Sequence, residues 1–371
     1  MSLACPDLLR RAAAPLIGCA LPVLTALVLA AVLAPTASAK PSHAGVSPPA
    51  PTGAAPVGFL RLTLTDMHRR ERLVPGGGPR RMLLRVWYPA SATEDAVAPV
   101  LSATEQVGFE QALGVPPGAL DGLGAPASAR ARPAAGRHPV VLFSHGLGTS
   151  AALHAASATD LASHGYVVVG VDHPGDAALV DLGTGRPIPG LPPSQRVIAR
   201  SYRQRVGDLV FVFGRLRSLR GVGRLDRHRV AAVGHSLGGA AAASAMLVEP
   251  RIRAGVDIDG TPRGSVVARG LRRPFGFMLS GGHTRTQDPQ LGRLIHALRG
   301  PHPQVTWPAL RHNDFTDLIW LHRQLGLAPS VDRALELGRV DPGPAVRRQR
   351  AWLLNFLRRH LAPRPAAAPG A

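Results

Sequence analysis

The sequence predicts an α/β fold, a mainly parallel central sheet with helices on both faces. Three observations lead there. From His138 onward, short runs of β-branched and small apolar residues alternate with helical patterns, as in a sheet buried on both sides. One run, Val230-Ala231-Ala232-Val233, passes directly into Gly234-His235-Ser236-Leu237-Gly238 and then into the alanine-rich segment Ala240 to Val248, which reads as strand, tight turn and helix. With 371 residues, the chain is long enough for one large core plus extensions.

Residues 1–39 are expected to be an export signal. Arg10-Arg11 makes a basic start, Ala12 to Leu33 is apolar, and Ala37-Ser38-Ala39 offers small residues for cleavage before Lys40. This predicts a secreted protein. Two rivals are an uncleaved anchor, which Pro15 and Pro22 weaken as a spanning helix, and a lipobox at Leu16-Ile17-Gly18-Cys19, which too few apolar residues precede. The two cysteines, Cys5 and Cys19, both lie in this segment. After cleavage no disulfide and no cysteine-based metal or redox motif would remain.

Residues 40–57 are rich in Pro and Ala and lack a hydrophobic period, which predicts a disordered tether. The catalytic-type domain is expected over residues 58–361. Leu60, Leu62 and Leu64 alternate with Arg61, Thr63 and Thr65, the pattern of a half-buried edge strand. Gly76-Gly77-Gly78-Pro79 marks a turn, and Met82 to Tyr88 reads as the paired strand. Residues 91–137 show no convincing element and read either as a substrate-facing insertion or as a surface excursion.

Strands are then expected at Val140–Phe143, Tyr166–Val171, Val230–Val233, Gly255–Ile258, Phe275–Leu279 and Gln304–Trp307. Ser150–His164 reads as a helix ended by Gly165. Gln195–Leu219 has Val206, Leu209, Val210, Phe213 and Leu216 at helical spacing, and its arginines are read as a solvated face. A closing helix is expected over Ala345–Leu361, and residues 362–371 as a disordered tail. The formal charge of +20 comes almost wholly from arginine, since Lys40 is the sole lysine. The arginines are dispersed without interleaved aromatics, so the reading is a solvated basic surface and not a nucleic-acid partner. Transient contact with an anionic lipid surface stays open on charge alone.

The chemistry centres on Ser236. A serine hydroxyl is a poor nucleophile at neutral pH and needs a base within hydrogen-bond reach and a third group to orient that base. On a strand–turn–helix platform the partners follow in the order serine, acid, histidine. His312, in the turn after Gln304–Trp307, is the expected base; His283, His296 and His302 are rivals. For the acid, Asp259 at the tip of Val256-Asp257-Ile258-Asp259 is preferred, with Asp288 as the alternative and Asp257 deeper in the sheet. The developing oxyanion needs two backbone donors, expected at Leu147, in Ser144-His145-Gly146-Leu147-Gly148, and at Leu237. His145 and His235 are read as braces of these two turns.

Phe143-Ser144-His145-Gly146-Leu147-Gly148, Asp160-Leu161-Ala162-Ser163-His164-Gly165, Gly234-His235-Ser236-Leu237-Gly238-Gly239 and His312-x-x-Phe315-x-Asp317 together resemble the platelet-activating-factor acetylhydrolase family of α/β hydrolases. The likeness runs from about Phe59 to Leu361, with the motifs in family order. It implies an α/β-hydrolase fold, the acid at Asp259 and hydrolysis of carboxylic esters without a cofactor or metal. Two departures limit it. The animal enzymes have an aromatic residue after the serine and a tryptophan soon after the acid, where this chain has Leu237 and Gly260-Thr261. Bacterial relatives are similar to secreted lipases and polyester-cleaving esterases, so the resemblance implies carboxylic-ester hydrolysis, of a small-molecule or lipid ester, more firmly than hydrolysis of the acetyl group of 1-alkyl-2-acetylglycerophosphocholine. Alternatives are a thioesterase or peptidase using the same residues, and a catalytically idle scaffold that binds anionic surfaces.

Overall fold

The computed structural model describes residues 45–93 and 97–362. The expected export signal, the start of the tether and the tail beyond Ala362 lie outside them.

The core of the molecule is a nine-stranded sheet. Its strands are β1 (Val57–Arg70), β2 (Pro79–Pro89), β3 (Ser128–Ala129), β4 (Arg137–Ser144), β5 (Val167–Asp172), β8 (Arg224–His235), β9 (Ala254–Ile258), β10 (Phe275–Ser280) and β11 (Gln304–Trp307), while β6 (Leu179–Val180) and β7 (Ile188–Pro189) form a separate small ribbon. Across the sheet the order is β11-β10-β9-β8-β4-β5-β2-β1-β3. β2 runs antiparallel to both β1 and β5, and the strands from β5 to β11 are parallel. This is an α/β-hydrolase sheet. β8 lies inside the sheet, and the neighbouring β4 and β9 bring their carboxyl ends beside the end of β8.

Helices cover both faces: α1 (Ala103–Leu113), α2 (Ala155–Ser163), α3 (Gln195–Arg215), α4 (Leu237–Val248), α5 (Val266–Arg269), α6 (Pro289–Ala297), α7 (Leu318–Gln324), α8 (Pro329–Ala334) and α9 (Pro342–Leu361). The alternation within each strand sorts its residues between two cores. Val141 and Phe143 of β4 pack with Leu161, Leu321 and Leu354 from α2, α7 and α9. Val140 and Leu142 pack on the other side with Phe213, Met246 and Leu294 from α3, α4 and α6. Leu142 is fully buried; truncating such a side chain to alanine costs about 2–5 kcal/mol. Among the described residues no helix is long and apolar enough to cross a membrane.

Three expectations need correction. The described residues within 91–137 are not a surface excursion. They contain α1 and β3, and Leu101, Phe109, Leu113, Leu120 and Leu123 join the core. The inward face of α1 carries a carboxylate, Glu105, which meets Arg85 at 2.8 Å and Arg61 at 3.0 Å, so no apolar stripe marks the helix. A capping box from Ser102 to Glu105 and a left-handed Gly114 delimit it instead.

The tether is also not free over residues 45–56. Val46 is buried, Thr52 donates from its amide to Asp160 Oδ1 at 2.7 Å, and Arg350 donates to the carbonyls of Ala50 and Pro49 at 2.8 and 3.1 Å. Main-chain hydrogen bonds to remote side chains hold this strap, which is why it needs no hydrophobic period. Finally, the arginines of α3 are not all solvated. Arg205 is fully buried, for reasons that belong to the site.

Candidate active site

β8 ends at His235, and Ser236 turns the chain into α4 with φ 56° and ψ −123°. The left-handed φ is strained for any residue with a Cβ. The turn closes because Gly234 and Gly238 have none: a Cβ on Gly234 would collide with the main chain of Gly238, and one on Gly238 with the carbonyl of Ser144. The Ser236 amide donates to the Ile258 carbonyl at 2.7 Å, which ties the turn to β9. The hydroxyl thus stands at the N-terminus of α4, above the carboxyl edge of the sheet.

The structure brings three of the expected side chains together. Nε2 of His312 lies 3.0 Å from Ser236 Oγ, and Nδ1 of the same ring lies 2.7 Å from Asp259 Oδ2. His312 opens a short 3₁₀ turn, His312–Phe315, after β11, and its side chain is 32% exposed against 2% for Asp259. Asp259 also has a left-handed φ of 56°, a region Asp tolerates better than most residues. Burial works against its charge, but hydrogen bonds from His283 and His312 outweigh burial and hold its carboxyl well below the usual carboxylate range.

The rival positions fall elsewhere. His283 contacts Asp259 Oδ1 at 3.2 Å and Asp288 Oδ2 at 3.0 Å, so it meets two carboxylates and not the hydroxyl of Ser236. Asp288 caps α6 by accepting from the Gln290 amide at 2.9 Å. His296 lines an outer groove between α5 and α6, and His302 bonds the carbonyl of Gly300. Asp257 lies beneath the turn, where burial pushes its carboxyl well above the usual range; Oδ1 accepts from the Gly260 amide at 2.9 Å.

The loop Ser144–Gly148 faces this group. No acceptor among the described residues claims the amide of Leu147 or of Leu237. Leu237 is the first residue of α4, whose amide has no acceptor within the helix. The side chains of both leucines pack together with Ile198 and the half-buried Tyr202 of α3. His145 bonds the Gly146 carbonyl through Nδ1 at 2.6 Å. His235 reaches the carbonyl of His312 at 3.0 Å, so it braces the loop of the imidazole that faces the hydroxyl.

Sequence reasoning missed Arg205. Its guanidinium grips Asp176 at 2.6 and 2.5 Å and donates to the carbonyls of His145 and Gly146. It also donates to Ser144 Oγ at 3.0 Å. Two successive loop carbonyls are thereby committed to one buried cation. Its neighbours on the same buried helix face, Ser201 and Asp208, are polar, so no apolar spacing marks the position.

A serine on a strand–turn–helix at the carboxyl edge of a parallel sheet, facing a histidine from the loop after the last strand, places the molecule in the class of α/β hydrolases. The chain belongs to the family described as platelet-activating factor acetylhydrolase, isoform II, whose model matches residues 43–183 and 206–364. Residues 136–258 also match a model described as serine aminopeptidase, S33.

Among curated relatives it is similar to a probable 1-alkyl-2-acetylglycerophosphocholine esterase of the fungus Arthroderma benhamiae, 33% identical over 195 residues, which is 48% of each chain. It is also similar to the platelet-activating factor acetylhydrolase of Cavia porcellus, 25% identical over 264 residues, 61% of this chain and 58% of that protein. The chain thus spans about half the length of the curated relatives it matches. Among solved structures it resembles a ferulic acid esterase from Streptomyces cinnamoneus, with a TM-score of 0.75 and 29% identity over 88% of this chain and 97% of that one.

Proposed function

We propose that the protein is an exported serine hydrolase of carboxylic esters that works through an acyl-enzyme on Ser236. The observation that carries this reading is the single imidazole of His312 placed between Ser236 Oγ at 3.0 Å and Asp259 Oδ2 at 2.7 Å. Ser236 Oγ attacks the ester carbonyl and its proton passes to His312 Nε2. Asp259 accepts Nδ1–H, holds the ring in that tautomer and stabilises the imidazolium as it forms. The oxyanion is met by the amides of Leu147 and Leu237. His312 then returns the proton to the leaving alcohol, and a water molecule, activated by the same ring, releases the acid.

The names of the relatives support an ester and differ in its two halves. The curated relatives point to an acetyl glycerophospholipid, the structural neighbour to a ferulate ester. What the two have in common is a carboxylic ester, and that is the substrate class proposed. Export rests on the expected signal at residues 1–39. The test is labelling of the whole protein with a fluorophosphonate, followed by location of the adduct. The reading requires modification at Ser236 and loss of p-nitrophenyl ester turnover in Ser236→Ala. Labelling elsewhere, or turnover that survives the substitution, refutes it. A panel of ester, thioester and amide substrates of graded acyl length then separates esterase from thioesterase and peptidase.

A further inference from the structure

Asp259 uses only one oxygen on His312. The other, Oδ1, accepts from the Ser280 amide at 2.7 Å and faces Nδ1 of His283 at 3.2 Å. His283 continues through Nε2 to Asp288 Oδ2 at 3.0 Å. Asp288 spends its remaining oxygen on the amides of Gln290 and Leu291, at the start of α6. A neutral imidazole has one N–H and one lone pair, so it would set the lone pair against a carboxylate. With a carboxylate oxygen on each ring nitrogen, both nitrogens donate, and the ring is an imidazolium. The result is an unbroken hydrogen-bonded line, His312, Asp259, His283, Asp288 and the N-terminus of α6, in which a cation sits between two carboxylates.

The other groups around this line do not replace the cation. Asp257 reaches in from β9, where burial pushes its carboxyl well above the usual range. His235, at the end of β8, is held neutral by burial and by the neighbouring His312. Thr261 bonds Asp288. Arg285, on the loop of His283, turns away to Gln304 at 3.2 Å.

We propose that His283 is a positioning residue for the ester hydrolysis inferred above: it locks the carboxylate of Asp259 in the rotamer that faces His312 and offsets part of that carboxylate's charge. The proposal rests on the serine-hydrolase reading. Its first consequence is geometric. Asp259 is held from both sides, so Oδ2 stays on Nδ1 of His312 while the ring moves its proton. The second is electrostatic. A carboxylate partly neutralised at Oδ1 draws a proton onto His312 less strongly, so the ring is free to act as a base at lower pH.

The experiment compares wild type, His283→Gln and Asp288→Asn in the full chain. It records pH profiles of kcat/KM for p-nitrophenyl acetate, normalised to active sites titrated with a fluorophosphonate. His283→Gln keeps a donor but removes the charge. Its acidic limb is expected to move up by about one unit, and its kcat to fall roughly tenfold with KM nearly unchanged. Asp288→Asn removes an anion and leaves the cation facing Asp259 alone, so its limb is expected to move down, by less, and it provides the test if His283→Gln does not fold. Profiles that coincide with wild type, or a loss confined to melting temperature, overturn the role of His283 alone. Wild type without label or turnover sinks the hydrolase reading, and this role with it.

Discussion

His235 donates from Nε2 to the main-chain carbonyl of His312 at 3.0 Å, and the two rings lie 4.7 Å apart. The residue directly before Ser236 therefore holds the loop of the histidine that faces it. Burial keeps His235 neutral, so its single proton is committed to that carbonyl and it adds no charge beside His312. Replacing it with phenylalanine keeps the packing and removes the donor to this part-buried carbonyl, at a cost of about 1 kcal/mol. We expect His235→Phe to lower kcat on p-nitrophenyl esters by roughly tenfold with KM unchanged. Steady-state kinetics check this, and an unaltered kcat would show that the His312 loop holds its place unaided.

The two carboxylates considered for the acid have separate tasks, and one pair of substitutions distinguishes them. Asp259 meets His312 at 2.7 Å, whereas Asp288 meets it only through His283 and Asp259. Asp259→Asn would allow the wrong tautomer of His312 and is expected to lower kcat by about 10⁴. Asp288→Asn should retain most of its turnover. Equal residual rates in the two variants would remove Asp259 from its proposed role.

His283 predicts how stability changes with pH. Burial disfavours its charge, but the hydrogen bonds to Asp259 and Asp288 push the imidazole up to about 10. A folded value above the unfolded one, about 6.5, means the folded state binds the proton more tightly. The stabilisation is full below the unfolded value and is lost as pH rises through the folded one. The melting temperature of wild type is therefore expected to decline from neutral pH toward pH 10. His283→Gln should melt lower at pH 6 and decline less. Calorimetry across this range checks the sign, and parallel curves for the two proteins would contradict it.

What the sequence made legible were features with local causes. The parallel strands show as β-branched runs because both of their faces are buried, and Gly234, Ser236 and Gly238 mark a turn that only that spacing closes. Positions 259 and 312 could be named because each follows a strand end. What stayed hidden depends on partners far along the chain. α1 turns Glu105 inward toward Arg85 and Arg61, so a charge sits where an apolar residue would reveal the period. The strap at residues 45–56 is held by Asp160 and Arg350, distant in sequence. His283 reads alone as a competing base, and only coordinates reveal a carboxylate on each of its nitrogens.

Arg205 is hidden in the same way, and its effect should be separable from plain stability. Its guanidinium spans Asp176 and the carbonyls of His145 and Gly146, and a lysine cannot reproduce that planar fork. If these bonds turn the Leu147 amide toward the oxyanion, Arg205→Lys should lower kcat by about 10² while KM changes little. Removing the cation altogether, as in Arg205→Met, leaves Asp176 buried and unpaired, which destabilises the fold by roughly 3–5 kcal/mol. The double variant Arg205→Met with Asp176→Leu removes both charges, so its melting temperature should recover much of the loss. Its turnover should not recover, because the His145 carbonyl then loses its partner and the Gly146 carbonyl loses one of its donors. Recovery of kcat together with melting temperature would mean that the pair matters only for stability, and that the oxyanion loop keeps its shape without it.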